Sequence, residues 1–252
     1  MDDSMVPPEE LDYGTAVHHF RALGRRYFRI CHELGGLRPD GAVLDVGCGF
    51  GRIAAPLTDY LDDRGRYEGF DVVPVGVRWC RERIASRYPN FRFTLVDVGN
   101  ATYNARGAID ARGFQFPYDD RSFDLVVARS LFTHMAAAEV DRYLGEIARV
   151  LRPDGRCVVS YFLVDEESRR FSRQGLGLRA FPHREGVSWY EHPAERDTVA
   201  YEEEYILGLY DRHRLRRVGP VYHGSWCGRP RLLDSQDVII AEPDLDPGPA
   251  SP

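Results

Sequence analysis

The chain has 252 residues, 43% of them hydrophobic and 29% charged, with a net charge of −6. That suits one α/β domain with a modest insertion. It argues against a broad nucleic-acid footprint, which needs a basic face. All 33 basic residues are arginine, which points to a high-GC genome and removes lysine from any mechanism.

The start, MDDSMVPPEE, lacks the basic and apolar regions of a signal peptide, and no apolar run is long enough to span a bilayer. Five scattered cysteines, Cys31, Cys48, Cys80, Cys157 and Cys227, form no Cys-x-x-Cys pair. Neither a structural metal site nor a disulfide framework is expected, and the thiols fit a reducing, cytoplasmic compartment. The expected organisation is a mobile tail and covering helix over 1–34, a ligand-binding domain over 35–242 with a substrate-facing insert at about 163–200, and a disordered tail over 243–252.

In chain order, helical spacing of Val17, Phe20, Leu23, Tyr27, Ile30 and Leu34 predicts a helix over roughly 15–34, ended by Gly35-Gly36. Strands are expected at Ala42–Val46, Tyr67–Phe70, Phe91–Val96, Phe123–Ala128 and Arg156–Phe162. Helices are expected at Ile53–Leu61, Val75–Tyr88, Val140–Leu151 and Glu202–His213. The alternation implies a mostly parallel sheet covered on both faces. The stretch 163–200 reads as irregular, and two late β runs, Val218–His223 and Asp237–Ala241, are candidates for an antiparallel edge pair.

The sharpest motif is Val43-Leu44-Asp45-Val46-Gly47-Cys48-Gly49-Phe50-Gly51-Arg52: a strand, a Gly-x-Gly-x-Gly turn, then a helix. Glycine permits tight backbone angles and lets a ligand approach the main chain. Ligands of open α/β sheets bind at the carboxyl ends of the strands. The spacing is not the Gly-x-Gly-x-x-Gly that a pyrophosphate wants. A ligand without phosphate, such as the amino-acid end of S-adenosylmethionine, has no such need, and Asp45 is a plausible partner for its ammonium. The bland alternative is a tight turn and nothing more.

Asp71 ends the second strand twenty positions after Gly51, where a carboxylate can accept from both ribose hydroxyls; a helix N-cap is its other reading. Asp97 ends the third strand and could accept from an adenine amino group, with Val98 on the ring; otherwise it is a strand-end turn residue. Arg129 and Ser130, after the fourth strand, should face the cofactor or substrate cleft, whereas Asp124 suits the strand's start. His134 follows the same strand and is the best general-base candidate, against a helix-start histidine bonded to backbone. His18, His19 and His223 are weaker candidates. Tyr161 and the aromatics Trp189, Tyr190 and Trp226 are candidate acceptor contacts, or equally local core. Tyr103 and Asn104 lie in a loop able to close over the adenine side.

On these blocks the sequence resembles the class I S-adenosylmethionine-dependent methyltransferases. VLDVGCGFGRIA (43–54), YEGFDVVP (67–74), FTLVDV (93–98), FPYDDRSFDLVVARSLFTHM (116–135) and YLGEIARVLRPDGRCVVSYF (143–162) follow the family's order over most of 40–165. NATYNARG (100–107) and GSWCGR (224–229) also resemble a bacterial small-molecule subgroup.

The resemblance implies a Rossmann-like three-layer fold with a seven-stranded sheet, order 3-2-1-4-5-7-6, strand 7 antiparallel. It implies S-adenosylmethionine as cofactor, with S-adenosylhomocysteine as product. It assigns Gly47, Gly49 and Gly51, with Cys48 and Arg52 of the same block, to the cofactor turn. Asp71 with Val72 goes to the ribose, and Asp97-Val98 to the adenine. Some relatives carry Asn or Asp with Pro-Pro-Tyr after the fourth strand; Ala128-Arg129-Ser130 here disfavours adenine-N6 or glutamine methylation.

The expectation is therefore methyl transfer to a small-molecule acceptor, O- slightly ahead of N-methylation, in the setting of natural-product biosynthesis. No nucleic-acid or membrane partner is expected, and the oligomeric state, a homodimer included, stays open. The alternative of another class is a catalytically silent binder of the same cofactor. A nicotinamide oxidoreductase would need a Gly-x-Gly-x-x-Gly turn and a Tyr-x-x-x-Lys pair, and neither is present.

Overall fold

A computed structural model describes residues 2–11, 19–192, 194, 197–230 and 233–245. Its main sheet holds β1 (Ala42–Val46), β2 (Arg66–Asp71), β3 (Phe91–Leu95), β4 (Phe123–Ala128), β5 (Leu151–Tyr161), β10 (Leu215–Arg217) and β11 (Asp237–Pro243). The order is β10-β11-β5-β4-β1-β2-β3. β1 to β5 run parallel, and β11 is antiparallel to β5 and β10. This is the order the family resemblance implies.

β1 is buried at all five positions, the pattern of a parallel strand covered on both faces. One face packs Leu44, Val46 and Val126 against Leu144 and Ile147 of α4 (Ala137–Val150). The other packs Val43, Leu125 and Val127 under Tyr27 and Ile30 of α1 (Phe20–Glu33) and Ala54 of α2 (Ala54–Leu57). Asp124 anchors the sheet's lower edge: Ala42 N donates to its Oδ2 at 2.7 Å, and Arg152 reaches it at 2.6 Å.

Several boundaries differ from expectation. α2 has four residues, not the nine of Ile53–Leu61. The Val75–Tyr88 helix is α3 (Pro74–Cys80) followed by a π turn over Arg81–Ala85. The sixth strand of the sheet is Leu215–Arg217 rather than Val218–His223. The ladder stops because Gly219 has φ +81° and Pro220 offers no N–H; beyond them Tyr222 makes an isolated bridge to Val238. Within residues 2–11, most of them exposed, Met5 is buried, its carbonyl accepting from Trp79 Nε1 at 3.3 Å.

The stretch 163–200 is not irregular. It forms β6 (Leu163–Val164), α5 (Glu166–Arg173), β7 (His183–Glu185), β8 (Ser188–Tyr190) and β9 (Val199–Glu202), which leads into α6 (Glu203–Arg212). The strands build a second sheet, β6-β9-β8-β7, over a small core of Phe162, Phe181, Ala200 and Trp226. Asp165 caps α5, accepting from Ser168 N at 2.8 Å, while Ser168 Oγ accepts from Asp165 N at 2.9 Å. No helix among the described residues is long and apolar enough to cross a membrane.

Candidate active site

The carboxyl ends of β1, β2 and β4 open into a cavity of about 230 Å³. The glycine turn forms its floor. Gly47 N and Cys48 N both donate to the Phe70 carbonyl, at 2.9 and 3.1 Å, which clamps the turn onto β2. Gly47 has φ +82°, and a Cβ there would meet Leu131 at 3.1 Å, so the cavity wall depends on its absence. Gly51 serves packing instead: a Cβ would strike Ile84 Cδ1 at 2.7 Å, and the residue does not line the cavity.

Asp45 and Asp71 give this end its charge. Asp71 spans two loops, accepting from Gly49 N at 2.7 Å and Val73 N at 2.9 Å, while its carboxyl borders the cavity. The helix N-cap is Val73, not Asp71. Burial raises the Asp71 pKa against the effect of those N–H donors. Asp45 accepts from Tyr67 Oη at 2.5 Å through Oδ2; Oδ1 is buried, and no donor among the described residues reaches it. Desolvation lifts the Asp45 pKa to about 7. A buried acceptor without a donor marks a place for a ligand cation.

The opposite wall comes from the chain after β4. Ser130 adopts φ +56°, a conformation unusual for a side-chain-bearing residue. Three bonds hold it: Ser130 N donates to Ser160 Oγ at 2.8 Å, Ser160 Oγ to Gln236 Oε1 at 2.7 Å, and Gln236 Nε2 to Ser130 Oγ at 2.9 Å. His134 sits in the 3₁₀ turn Phe132–His134, with the Tyr103 ring edge-on at 5.3 Å. Its Nδ1 contacts the Asp197 carbonyl, which can only accept, so Nδ1 carries the proton and Nε2 the lone pair. Desolvation, with a smaller push from the nearby Arg179 and Arg129 charges, lowers its pKa. It is neutral at pH 7.

The cavity thus brings together Asp45, Gly47, Cys48, Gly49, Arg52, Asp71, Val72, Val98, Arg129, Ser130 and His134 from distant parts of the sequence. Other expectations need correction. Asp97 is exposed, takes Asn104 Nδ2 at 3.2 Å and lies off the cavity; Asn100 and Tyr103 join Val98 on that side. Tyr161 is fully buried, its hydroxyl 3.1 Å from that of Tyr210. Trp226 is core of the second sheet, edge-on to Phe162 and Phe181 and donating to Asp237 at 2.7 Å. Trp189 donates to Glu202 at 3.0 Å, and Tyr190 packs beside the main core. None of these four lines the cavity.

His223 pairs with Glu203 at 2.7 Å, away from the cavity. With Asp165 it places three ligand-type atoms within 4.8 Å, but Arg229 already neutralises Asp165. His18 lies outside the described residues; His19 is exposed at the start of α1. Phe20 and Leu23 of α1, and Leu131, Met135 and Tyr143, are lining residues that sequence reasoning missed. The helical spacing of Phe20 and Leu23 marked the buried face of the expected covering helix, without singling them out as lining residues.

Residues 44–159 match the family described as a methyltransferase domain. Phthiotriol/phenolphthiotriol dimycocerosates methyltransferase of Mycobacterium tuberculosis is 32% identical over 154 residues, covering 59% of this chain and 47% of that protein. The chain thus matches about half the length of these curated relatives. A Pyrococcus horikoshii protein superposes with a TM-score of 0.63 at 20% identity, covering 94% of this chain and 96% of that one. The 1,6-didemethyltoxoflavin-N1-methyltransferase of Burkholderia thailandensis, solved with 1,6-didemethyltoxoflavin and S-adenosylhomocysteine, gives 0.57 at 22%, over 91% and 82%.

The residues lining the cavity fit S-adenosylmethionine, the cofactor that the resemblance implies. The unpaired Asp45 Oδ1 suits an ammonium, the side-chain-free turn at Gly47 leaves room for the methionine end, and Asp71 can accept from a diol.

Proposed function

We propose that this chain methylates a hydroxyl of a small-molecule acceptor, with His134 as general base. The observation that carries the reading is His134 itself: a neutral imidazole, its Nδ1–H committed to the Asp197 carbonyl, on the wall of the cavity that holds the glycine turn and Asp71. S-adenosylmethionine, when bound, supplies an electrophilic methyl group on a sulfonium. Asp45 would hold its ammonium, Asp71 with Val72 its ribose, Val98 its adenine, and Arg52 its carboxylate. Phe20 and Leu23 close the cavity from α1 and exclude water. His134 Nε2 accepts the proton of the acceptor hydroxyl, and Ser130 shapes the wall beside it.

The acidic net charge supports a small molecule over a nucleic-acid acceptor. The names of two similar proteins, one a phthiotriol/phenolphthiotriol dimycocerosates methyltransferase and one solved with 1,6-didemethyltoxoflavin, support the same class. The free, buried cysteines suit a reducing compartment.

Labelled cofactor mixed with a panel of hydroxylated metabolites tests the function; label on no acceptor despite tight cofactor binding would favour the silent binder. For the base, His134→Ala should lower kcat about 100- to 10,000-fold. Because the His134 pKa is lowered, wild-type turnover should rise with pH through a value below about 6.5 and hold level at neutrality. His134→Gln should lose that limb. Full turnover by His134→Ala from about pH 5 to 9 would remove His134 from the mechanism.

A further inference from the structure

The cavity is electrically two-sided. Asp45 and Asp71 reach it from β1 and β2, Arg129 from the chain just after β4. A guanidinium withdrawn from water needs acceptors for its five N–H groups. Arg129 lies over the Tyr27 ring, 5.6 Å from the centroid, and its nearest carboxylate, Asp234, is 3.8 Å away, too far for a hydrogen bond.

Asp234 is fully buried and already engaged. Arg26 Nη1 donates to Oδ1 at 2.6 Å, and Tyr27 Oη donates to Oδ2 at 3.0 Å. Two guanidiniums therefore share one carboxylate, leaving a net positive charge at the cavity wall. Arg129 Nε is buried, and no acceptor among the described residues reaches it.

The cofactor does not account for this charge. S-adenosylmethionine carries one carboxylate against an ammonium and a sulfonium. Arg52, inside the glycine-turn block, is the arginine at its amino-acid end. A second guanidinium facing the sulfonium side is repulsive unless an anion stands between them. The Ser130–Ser160–Gln236 bonds fix the backbone beside Arg129, so its position is set before an acceptor arrives.

We propose that Arg129 anchors a carboxylate of the methyl acceptor, making the substrate class hydroxy acids whose apolar body rests on Leu131, Met135 and Tyr143. This rests on the placement of S-adenosylmethionine under the proposed function, and it moves Arg129 from the cofactor set to the acceptor set.

The test uses protein saturated with S-adenosylhomocysteine, so that cofactor contacts are filled. Benzoate, a minimal aromatic carboxylate, is titrated by calorimetry into wild type, R129K, and the two neutral variants R129Q and R129M, with benzamide as the uncharged control. Benzoate should bind wild type and R129K but bind the neutral variants at least about tenfold more weakly, as expected for losing a charge-assisted hydrogen bond. Benzamide should not bind, and S-adenosylhomocysteine affinity should stay within about threefold, well short of that loss.

Thermal unfolding identifies which neutral variant is folded and carries the comparison. Equal benzoate affinity in wild type and the folded neutral variant, or no binding to wild type, overturns the proposal. A loss of about tenfold or more in S-adenosylhomocysteine affinity would return Arg129 to the cofactor. Failure of the underlying cofactor reading shows earlier and separately, as wild type that does not take up S-adenosylhomocysteine.

Discussion

The two sheets of this molecule are held together by different means. In the seven-stranded sheet, β1 pairs over five consecutive residues with β2 and is flanked by β4, and the turn that follows is clamped by main-chain bonds. In the four-stranded sheet the strands have two to four residues, and side chains take over. Phe162, Phe181 and Trp226 fill its core, and one buried carboxylate, Asp237, accepts from Leu163 N, Gly224 N and Trp226 Nε1. A site set by backbone tolerates change around it. A sheet set by a few side chains can be rebuilt, or lost, with little effect on the turn beneath. Yet the two meet at His134, which bonds the Asp197 carbonyl, and at Tyr201, whose hydroxyl donates to the carbonyls of Phe132 and Met135.

Trp226→Ala tests that difference most strongly. It opens a cavity between Phe162 and Phe181 and strips Asp237 of a donor 2.7 Å away. Loss of such a side chain costs about 3–5 kcal/mol. Denaturant unfolding should show that loss, while the folded fraction binds S-adenosylhomocysteine with near wild-type affinity. A collapse of cofactor affinity in protein that remains folded would mean the second sheet supports the turn after all.

The same difference explains what could be read from the sequence. Three glycines with φ of +82°, +54° and +76°, inside an apolar strand-turn-helix pattern, leave a fixed spacing, so the turn and the position of Asp71 were legible, while the strand order came from the family resemblance. The second sheet leaves no such trace: β7 and β8 are three residues long, too short for alternation to show, and their partners include Trp226, far along the chain. Its aromatics therefore read equally as an acceptor wall or as local core; Trp226 is that sheet's core, Trp189 packs against it, and Tyr190 packs beside the main core. Asp97 matched the family's position, but its side chain turns to Asn104. Spacing identifies a position in the chain; it does not fix the direction of a side chain.

Asp71→Ala probes the backbone-held site directly. It removes the candidate ribose acceptor and leaves Gly49 N and Val73 N without theirs. Hydrogen bonds to a charged group contribute about 1.5–3 kcal/mol each, so S-adenosylhomocysteine affinity should fall about 100-fold or more. Unchanged affinity by calorimetry would end the ribose assignment. Asp71→Asn keeps one acceptor oxygen and should fall between the two.

The smallest effect separates the two regions by pH. Burial lifts the Asp45 pKa to about 7, against about 3.9 in the unfolded chain. The empty native protein therefore holds a proton there that the unfolded chain has lost. Between about pH 4 and 7 this group makes stability fall as pH rises. An ammonium on Oδ1 favours the ionised form, so ligand binding must expel that proton at low pH. Affinity for S-adenosylhomocysteine should then drop about tenfold from about pH 8 to pH 6, with close to one proton released per ligand near pH 6. Calorimetry in buffers of different ionisation enthalpy reads both quantities. Asp45→Asn should bind weakly and lose the slope, and it subtracts whatever His134 contributes over the same range. Trp226→Phe, which alters only the second sheet, should keep the wild-type slope. A flat wild-type profile would show that Asp45 does not meet the ligand ammonium. A slope changed by Trp226→Phe would show that the second sheet reaches into the cofactor end of the cavity.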